Sequence, residues 1–272
     1  MRTKMILASF VIVGCGTGAP EIGPVLVSPT QAAYVSSYTQ SANEAAFAAA
    51  NPTSTMVASV VGAVGLVNDN AVSAASAAAA NGKMYFVPDG CANVTAEERT
   101  VTYVLDDCTG PFGSTHIKGA ITATFMVNPD GLELDLEAKD LLIGAATVNF
   151  NRHMRFAQAA GLIALTTLTN ESTAQGSQGN VKSSASKGIL SWGVGGGCTT
   201  YNGTETVQLE ATTLNAAFTG VVRCANPCPQ SGSVKVTDSG GGGVTLNFNG
   251  MKTVPVSRTD GAKDSVTLAC GS

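Results

Sequence analysis

A chain of 272 residues with 15 Lys and Arg against 19 Asp and Glu carries a formal charge of −4, which leaves no basic footprint for nucleic acid. Charged residues are only 12% of the total while Gly alone numbers 31, so the composition excludes an acidic disordered chain, and the length suffices for one large or two small cores. No apolar run reaches the length of a bilayer-spanning helix. The longest internal one, Met56 to Val67, is short and interrupted by Gly62 and Gly65.

At the N-terminus, Arg2 and Lys4 form a positive start and Met5 to Val13 a short apolar run. Ile12-Val13-Gly14-Cys15 then sets a small residue before a cysteine, as a signal-peptidase pocket requires. This segment resembles the lipobox of bacterial lipoprotein precursors, Leu-(Ala/Ser)-(Gly/Ala)-Cys, with Ile12 and Val13 as departures at its first two positions. The resemblance covers Met1 to Cys15 only. It implies that residues 1–14 are a cleaved signal peptide and that Cys15 carries a diacylglycerol on sulfur and a third acyl chain on its new amino group. Several buried chains, at about 0.8 kcal/mol per CH₂, give durable membrane anchoring where one would be marginal. Gly16 after the cysteine, in place of Asp, resembles lipoproteins forwarded to the bacterial outer membrane. The glycines at 14, 16 and 18 also imitate a dinucleotide-binding loop, but Pro20 and Pro24 interrupt the helix it needs, and no acid stands near position 35. Residues 15–29 therefore read as a lipid-anchored tether.

A helical segment is expected over residues 30–82. Ser28-Pro29-Thr30-Gln31 is a capping box with proline at the first helical position, so the first helix should run to about Ala50 and stop before Pro52. A second apolar helix is expected over 54–67. A third, capped by Asp69, should run from Ala71 to Ala80 and close at Asn81-Gly82.

From Lys83 onward the pattern alternates. Ile117, Gly119, Ile121, Ala123, Phe125 and Val127 share one face of a strand, and Asn128-Pro129-Asp130-Gly131 signals a turn. Leu132, Leu134 and Leu136 then alternate with Glu133, Asp135 and Glu137, and Val148, Phe150, Met154 and Phe156 face away from Thr147, Asn149, Asn151, His153 and Arg155. If the first turn centres on Pro129-Asp130 and the next on Gly144, Thr124 faces Asp135, Thr122 faces Glu137, Asp135 faces His153 and Glu133 faces Arg155. Further strands are expected near 99–105, 161–169, 181–192, 204–213, 216–224, 232–238, 243–249, 252–257 and 264–270. Turns this short exclude parallel crossovers. The expected fold class is α+β, mainly β: an antiparallel meander, curved or sandwich-like, over residues 83–272 with Ala-rich N-terminal helices. Val101 to Thr109 and Leu190 to Thr199 each read as a strand ending in Cys-Thr, which allows two lobes near 83–170 and 180–272.

Besides Cys15 there are six cysteines: Cys91, Cys108, Cys198, Cys224, Cys228 and Cys270. An even number in an exported chain reads as three disulfides, and the absence of Cys-x-x-Cys or of a histidine beside a cysteine argues against metal. Cys91–Cys108 is the expected local bridge. The other four should make two bridges that tie the end of the chain back to the 198–228 region, in a pairing that spacing alone leaves open.

Candidate sites are sparse. The expected register sets His116 about eight residues beyond His153 along the sheet, roughly 26 Å at about 3.3 Å per residue, so no metal site shared by the two is expected. The row Glu133, Asp135, Glu137 spaces its carboxylates about 6.6 Å apart, too far to clasp one calcium ion, and reads as a solvated face crossed by ion pairs. Asp106-Asp107, read as lying in a turn beside Cys108, is the better calcium candidate. There is no Gly-x-Ser-x-Gly, and the glycine runs at 195–197 and 240–243 lack the Lys-Ser/Thr of a phosphate loop. No catalytic residue, cofactor or metal is therefore assigned. The expected function is a membrane-anchored envelope lipoprotein with a non-catalytic structural or binding role, partnered by the membrane through its lipid. The alternative is a carrier holding a lipid or other apolar ligand in the concavity of the sheet, with the N-terminal helices as plug or lid.

Overall fold

The computed structural model describes residues 27–51, 68–110, 116–144, 146–159, 161–176, 179–193, 197–226, 228–268 and 270. The signal peptide, Cys15, most of the tether and the expected helix over 54–67 lie outside the described residues. Among the described residues no helix is long and apolar enough to cross a membrane.

Helix α1 spans Pro29–Ala50. Ser28 caps it as the sequence predicts: its hydroxyl accepts from Gln31 N at 3.1 Å, and Gln31 Oε1 accepts from Ser28 N at 2.9 Å. Val27 is already buried, so the end of the tether belongs to the body. Helix α2 spans Asn68–Gly82, which takes in Asp69 as an internal residue. It buries Ala71, Ala74, Ala75 and Ala78, an i, i+3, i+4, i+7 ridge whose small side chains let it pack closely on the first three strands.

Among the described residues thirteen strands follow in one antiparallel sheet whose spatial order is the chain order: β1 (Ala92–Glu97), β2 (Thr100–Thr109), β3 (His116–Asn128), β4 (Gly131–Ile143), β5 (Ala146–Ala159), β6 (Leu162–Gly176), β7 (Gly179–Gly193), β8 (Thr199–Leu209), β9 (Thr212–Arg223), β10 (Ser231–Asp238), β11 (Gly243–Asn247), β12 (Thr253–Arg258) and β13 (Lys263–Thr267). The meander is the one the short turns predict. The halves near 83–170 and 180–272 join through β6 and β7, which pair from Leu162↔Gly193 to Gly176↔Gly179. The register also follows the polar pairing rule: Thr124↔Asp135, Thr122↔Glu137, Asp135↔His153 and Glu133↔Arg155.

Three details differ from expectation. β1 gives no sequence signal, because a short edge strand with a mostly exposed Ala-Asn-Val-Thr-Ala-Glu stretch has no apolar alternation. The turn between β8 and β9 falls at Glu210-Ala211, not near 214, since the buried positions change parity there, from Val207 and Leu209 to Leu214, Ala216 and Phe218. Cys198 precedes β8 and does not end a strand.

The sheet is strongly curved. Strands β5 to β13 would span about 38 Å if flat, at about 4.8 Å per strand. Yet the single helix α1 makes side-chain hydrogen bonds to β5, β7, β8 and β9 and packs on β10, β11 and β13. Only a sheet wrapped around the helix allows this. Among the described side chains of α1, Thr30 alone is exposed. Bulges bend the strands: two residues face one at Asp106-Asp107 of β2, Lys139-Asp140 of β4 (opposite Asn149 of β5), 185–186 of β7 and Thr219-Gly220 of β9, while Leu168 is the extra residue of β6. In β4 the bulge switches the inward set from Leu132, Leu134, Leu136 and Ala138 to Leu141 and Ile143.

Candidate functional site

All six cysteines of the body are in disulfides: Cys91–Cys108, Cys198–Cys224 and Cys228–Cys270. The first joins the approach to β1 with the end of β2, as expected. The last ties the residue three positions beyond β13 to the loop after β9. These two cross-links hold the two open edges of the sheet, and Cys198–Cys224 joins the start of β8 to the end of β9 within it.

On the outer face, the expected solvated row is more enclosed than its alternation suggests. Glu133 is 2% exposed because three neighbours cover it. Arg155 donates to its Oε1 at 2.8 Å through Nε and 2.7 Å through Nη2, His153 Nε2 lies 3.0 Å from Oε2, and the Asn128 amide donates to the same oxygen. His153 Nδ1 meets Asp135 at 2.6 Å, so the imidazole bridges two carboxylates. Burial alone would raise the Glu133 carboxyl, but the Arg155, Asn128 and His153 contacts outweigh it and hold it below its ordinary value of 4.5. A depressed acid contributes stability above its unfolded value that is lost as pH falls through the folded one. Glu133→Gln should therefore cost about 1–2 kcal/mol near neutrality. In urea titrations at a series of pH values, the gap to the parent should close on acidification below 4.5. A gap constant with pH would mean that the carboxylate charge contributes nothing.

His116 lies eight residues from Thr124 along β3, and Thr124 leads through Asp135 to His153, so the two histidines are as distant as predicted. The calcium candidate takes a different form. Asp106 and Asp107 sit in the β2 bulge, not in a turn, with φ of +57° at Asp107. Asp106 pairs with Lys118 at 2.8 Å, which holds its carboxyl below the usual range, and Asp107 with His116 at 2.9 Å. Both carboxylates are turned to side chains of β3, Lys118 and His116. Among the described residues no group of three or more His, Cys, Asp and Glu is placed to hold a metal ion.

The constellation that sequence reasoning missed lies inside. Ser36, Thr39, Gln40 and Asn43 form an i, i+3, i+4, i+7 stripe on α1, and all four are buried. Such a polar stripe ordinarily faces water. Here it faces the sheet, where inward positions of β5, β6, β8 and β9 carry Arg152, Asn170, Ser172, Glu205 and Arg223, all buried. Arg152 donates through Nε to Asn170 Oδ1 at 3.0 Å and through Nη1 to Asn43 Oδ1 at 2.9 Å. Thr39 donates to Glu205 Oε2 at 2.7 Å, Tyr201 to Glu205 Oε1 at 3.3 Å, and Arg223 to Gln40 Oε1 at 3.1 Å. Tyr201 reaches Glu205 by lying over two glycines. A Cβ at Gly188 or Gly203 would come within 2.5 or 2.7 Å of its hydroxyl. Burial pushes the Tyr38 phenol up to about 12, and it raises Tyr201 as well, with Glu205 adding to that rise.

The seam is not fully satisfied. Tyr38 OH, Asn43 Nδ2, Arg152 Nη2, Asn170 Nδ2 and Ser172 Oγ are buried without a hydrogen-bond partner. Each such group costs about 1–3 kcal/mol, a sum comparable with the whole stability of a typical domain, about 5–15 kcal/mol. Beside Asn43, a small cavity of about 10 Å³ is walled by Gln40, Leu190, Thr199, Tyr201, Val221 and Arg223. Outside, two overlapping open depressions of about 440 and 570 Å³ cross β4 to β8, lined by Lys182, Asn149, Thr173 and, in the larger, Glu137, Lys139 and Glu171. They present amides, hydroxyls and both signs of charge.

The alternation itself held the missed signal. Arg152 occupies an inward position of β5 between Phe150 and Met154, and Glu205 an inward position of β8 before Val207. Comparison with protein-family models, with curated proteins and with solved structures finds no match to this chain.

Proposed function

We propose that the chain is a membrane-anchored bacterial envelope lipoprotein whose β body has a non-catalytic structural or binding role. Anchoring rests on Ile12-Val13-Gly14-Cys15, and the three disulfides fit an oxidising envelope compartment. The observation that carries the non-carrier reading is the filled interior: the concavity that an apolar cargo would occupy holds α1, fastened there by polar side chains. Recognition then falls to the outer face, where the depressions over β4 to β8 offer hydrogen-bonding groups to a polar surface or partner. Between Cys15 and buried Val27 stand residues 16–26, whose fully extended reach is about 40 Å, so the body stays close to the bilayer.

Growth of cells expressing the full chain with labelled palmitate tests the anchor. The parent should incorporate label and partition with outer-membrane fractions, and Cys15→Ser should lose both. Label retained by Cys15→Ser would overturn the assignment. Lipid extracted in stoichiometric amount from the purified parent body, beyond that attached to Cys15, would favour the carrier instead.

A further inference from the structure

We propose that the outer-face trough across β4 to β8 binds a linear neutral polysaccharide, gripped through its hydroxyl groups. The inference rests on the reading that recognition falls to this face. Both depressions are lined by Asn149, Thr173 and Lys182, so they form one trough that crosses five neighbouring strands. At about 4.8 Å per strand, β4 and β8 stand about 19 Å apart, a span for a chain of sugars and not for one.

The register gives the trough a repeat. Asn149, Thr173, Lys182 and Gln208 stand opposite one another over β5 to β8, and Glu137, Asn151 and Glu171 form the adjoining row over β4 to β6. Each row sets a polar side chain at every strand it crosses, which matches a ligand that itself repeats. The apolar residues of the floor, Ala138, Phe150, Ala174 and Val181, are buried beneath these rows. Asn149 is fixed at both ends of its amide: Oδ1 accepts from Asp140 N at 2.8 Å, and Nδ2 donates to Thr173 Oγ1 at 3.4 Å.

Charge selects among polar ligands. The larger depression sets Glu137 and Glu171 against Lys139 and Lys182, and the smaller adds Asp140 and Glu210. Residues 145, 177–178 and 183–186, which adjoin these positions in the chain, are uncharged. A polyanion would meet four carboxylates and a polycation two ammonium groups. A hydroxyl suits both signs, since it donates to a carboxylate and accepts from an ammonium, and one amide can serve two neighbouring hydroxyls. A peptide strand also repeats donors and acceptors, but it adds to the edge of a sheet and not across its face.

The purified full chain, in detergent, should be retarded in native gels cast with at least one of three neutral polymers: dextran, galactomannan and hydroxyethyl cellulose. Added salt should leave the retardation unchanged, because no charge pair with the ligand is there to be screened. Asn151→Ala and Gln208→Ala, both at exposed positions, should each weaken binding about tenfold at an unchanged unfolding midpoint. Lys235→Ala, exposed on β10 outside the trough, should bind as the parent does. No retardation by any neutral polymer, retardation only by polygalacturonate or chitosan, or neutral binding undiminished in both Ala variants would each overturn the proposal. Should the polymers fail, a photo-crosslinker at position 151 in cells separates the causes. Adducts with a protein would keep recognition on the outer face with another partner, and no adduct would remove recognition from that face.

Discussion

Replacing Cys228 and Cys270 together by serine should lower the unfolding free energy by about 4 kcal/mol on the chain-entropy estimate for a loop of this length. The bridge spans 42 positions, the longest of the three, against 26 for Cys198–Cys224 and 17 for Cys91–Cys108. It also closes the weakest part of the sheet. β11 to β13 are only five or six residues long, and β13 pairs on one side alone, through five positions of β12. β12 carries Pro255, which cannot donate to a ladder. An edge built this way frays unless its end is fixed. Without the bridge, native-state hydrogen exchange should find β12 and β13 opening first, while β4 to β6 keep the protection of the global transition. Full protection of β13 in the variant, with a loss below about 1 kcal/mol, would show that packing on α1 holds the edge without the cross-link.

Much of the sheet was legible because its outer face is polar and its inner face mostly apolar. The period of two places β3, β4 and β5, and matching Thr122 to Glu137 and Asp135 to His153 sets their register. What alternation could not foresee was a change of phase. Each bulge shifts the inward set by one residue, and the marker is a backbone conformation, such as φ of +50° at Asp140, that the residue type only weakly favours. The burial of α1 was hidden for another reason. A stripe of Ser36, Thr39, Gln40 and Asn43 beside alanines reads as a solvated face, and its burial depends on Arg152, Glu205 and Arg223, which lie more than a hundred residues away. Long-range polar partnership leaves no local period. The inward phase of Arg152 and Glu205 was the only trace of it.

The helix at the centre of the sheet gives the second large effect, expected for Phe47→Ala. Phe47 is 2% exposed and stands edge-on to two rings, Trp192 of β7 at 5.3 Å between centroids and Tyr85 of the 3₁₀ turn after α2 at 6.3 Å. One side chain thus links α1, the middle of the sheet and the segment that leads into β1. Truncation removes the ring from water-free surroundings and leaves a cavity that rigid strands on one side and a buried helix on the other cannot collapse to fill. Losses of about 3–5 kcal/mol follow from such phenylalanine deletions, including the edge-on aromatic contact. Trp192 is the only tryptophan of the chain, so the tryptophan fluorescence reports the surroundings of this ring. Its emission should shift to the red in the variant as solvent gains access to the indole, with the urea midpoint lowered in step. Thr30→Ala, on the one exposed side chain described for α1, should move stability by less than about 0.5 kcal/mol and leave the emission unchanged. A Phe47→Ala protein with parental emission and a loss under 1 kcal/mol would mean that α1 does not fill the sheet. The interior would then be open to cargo.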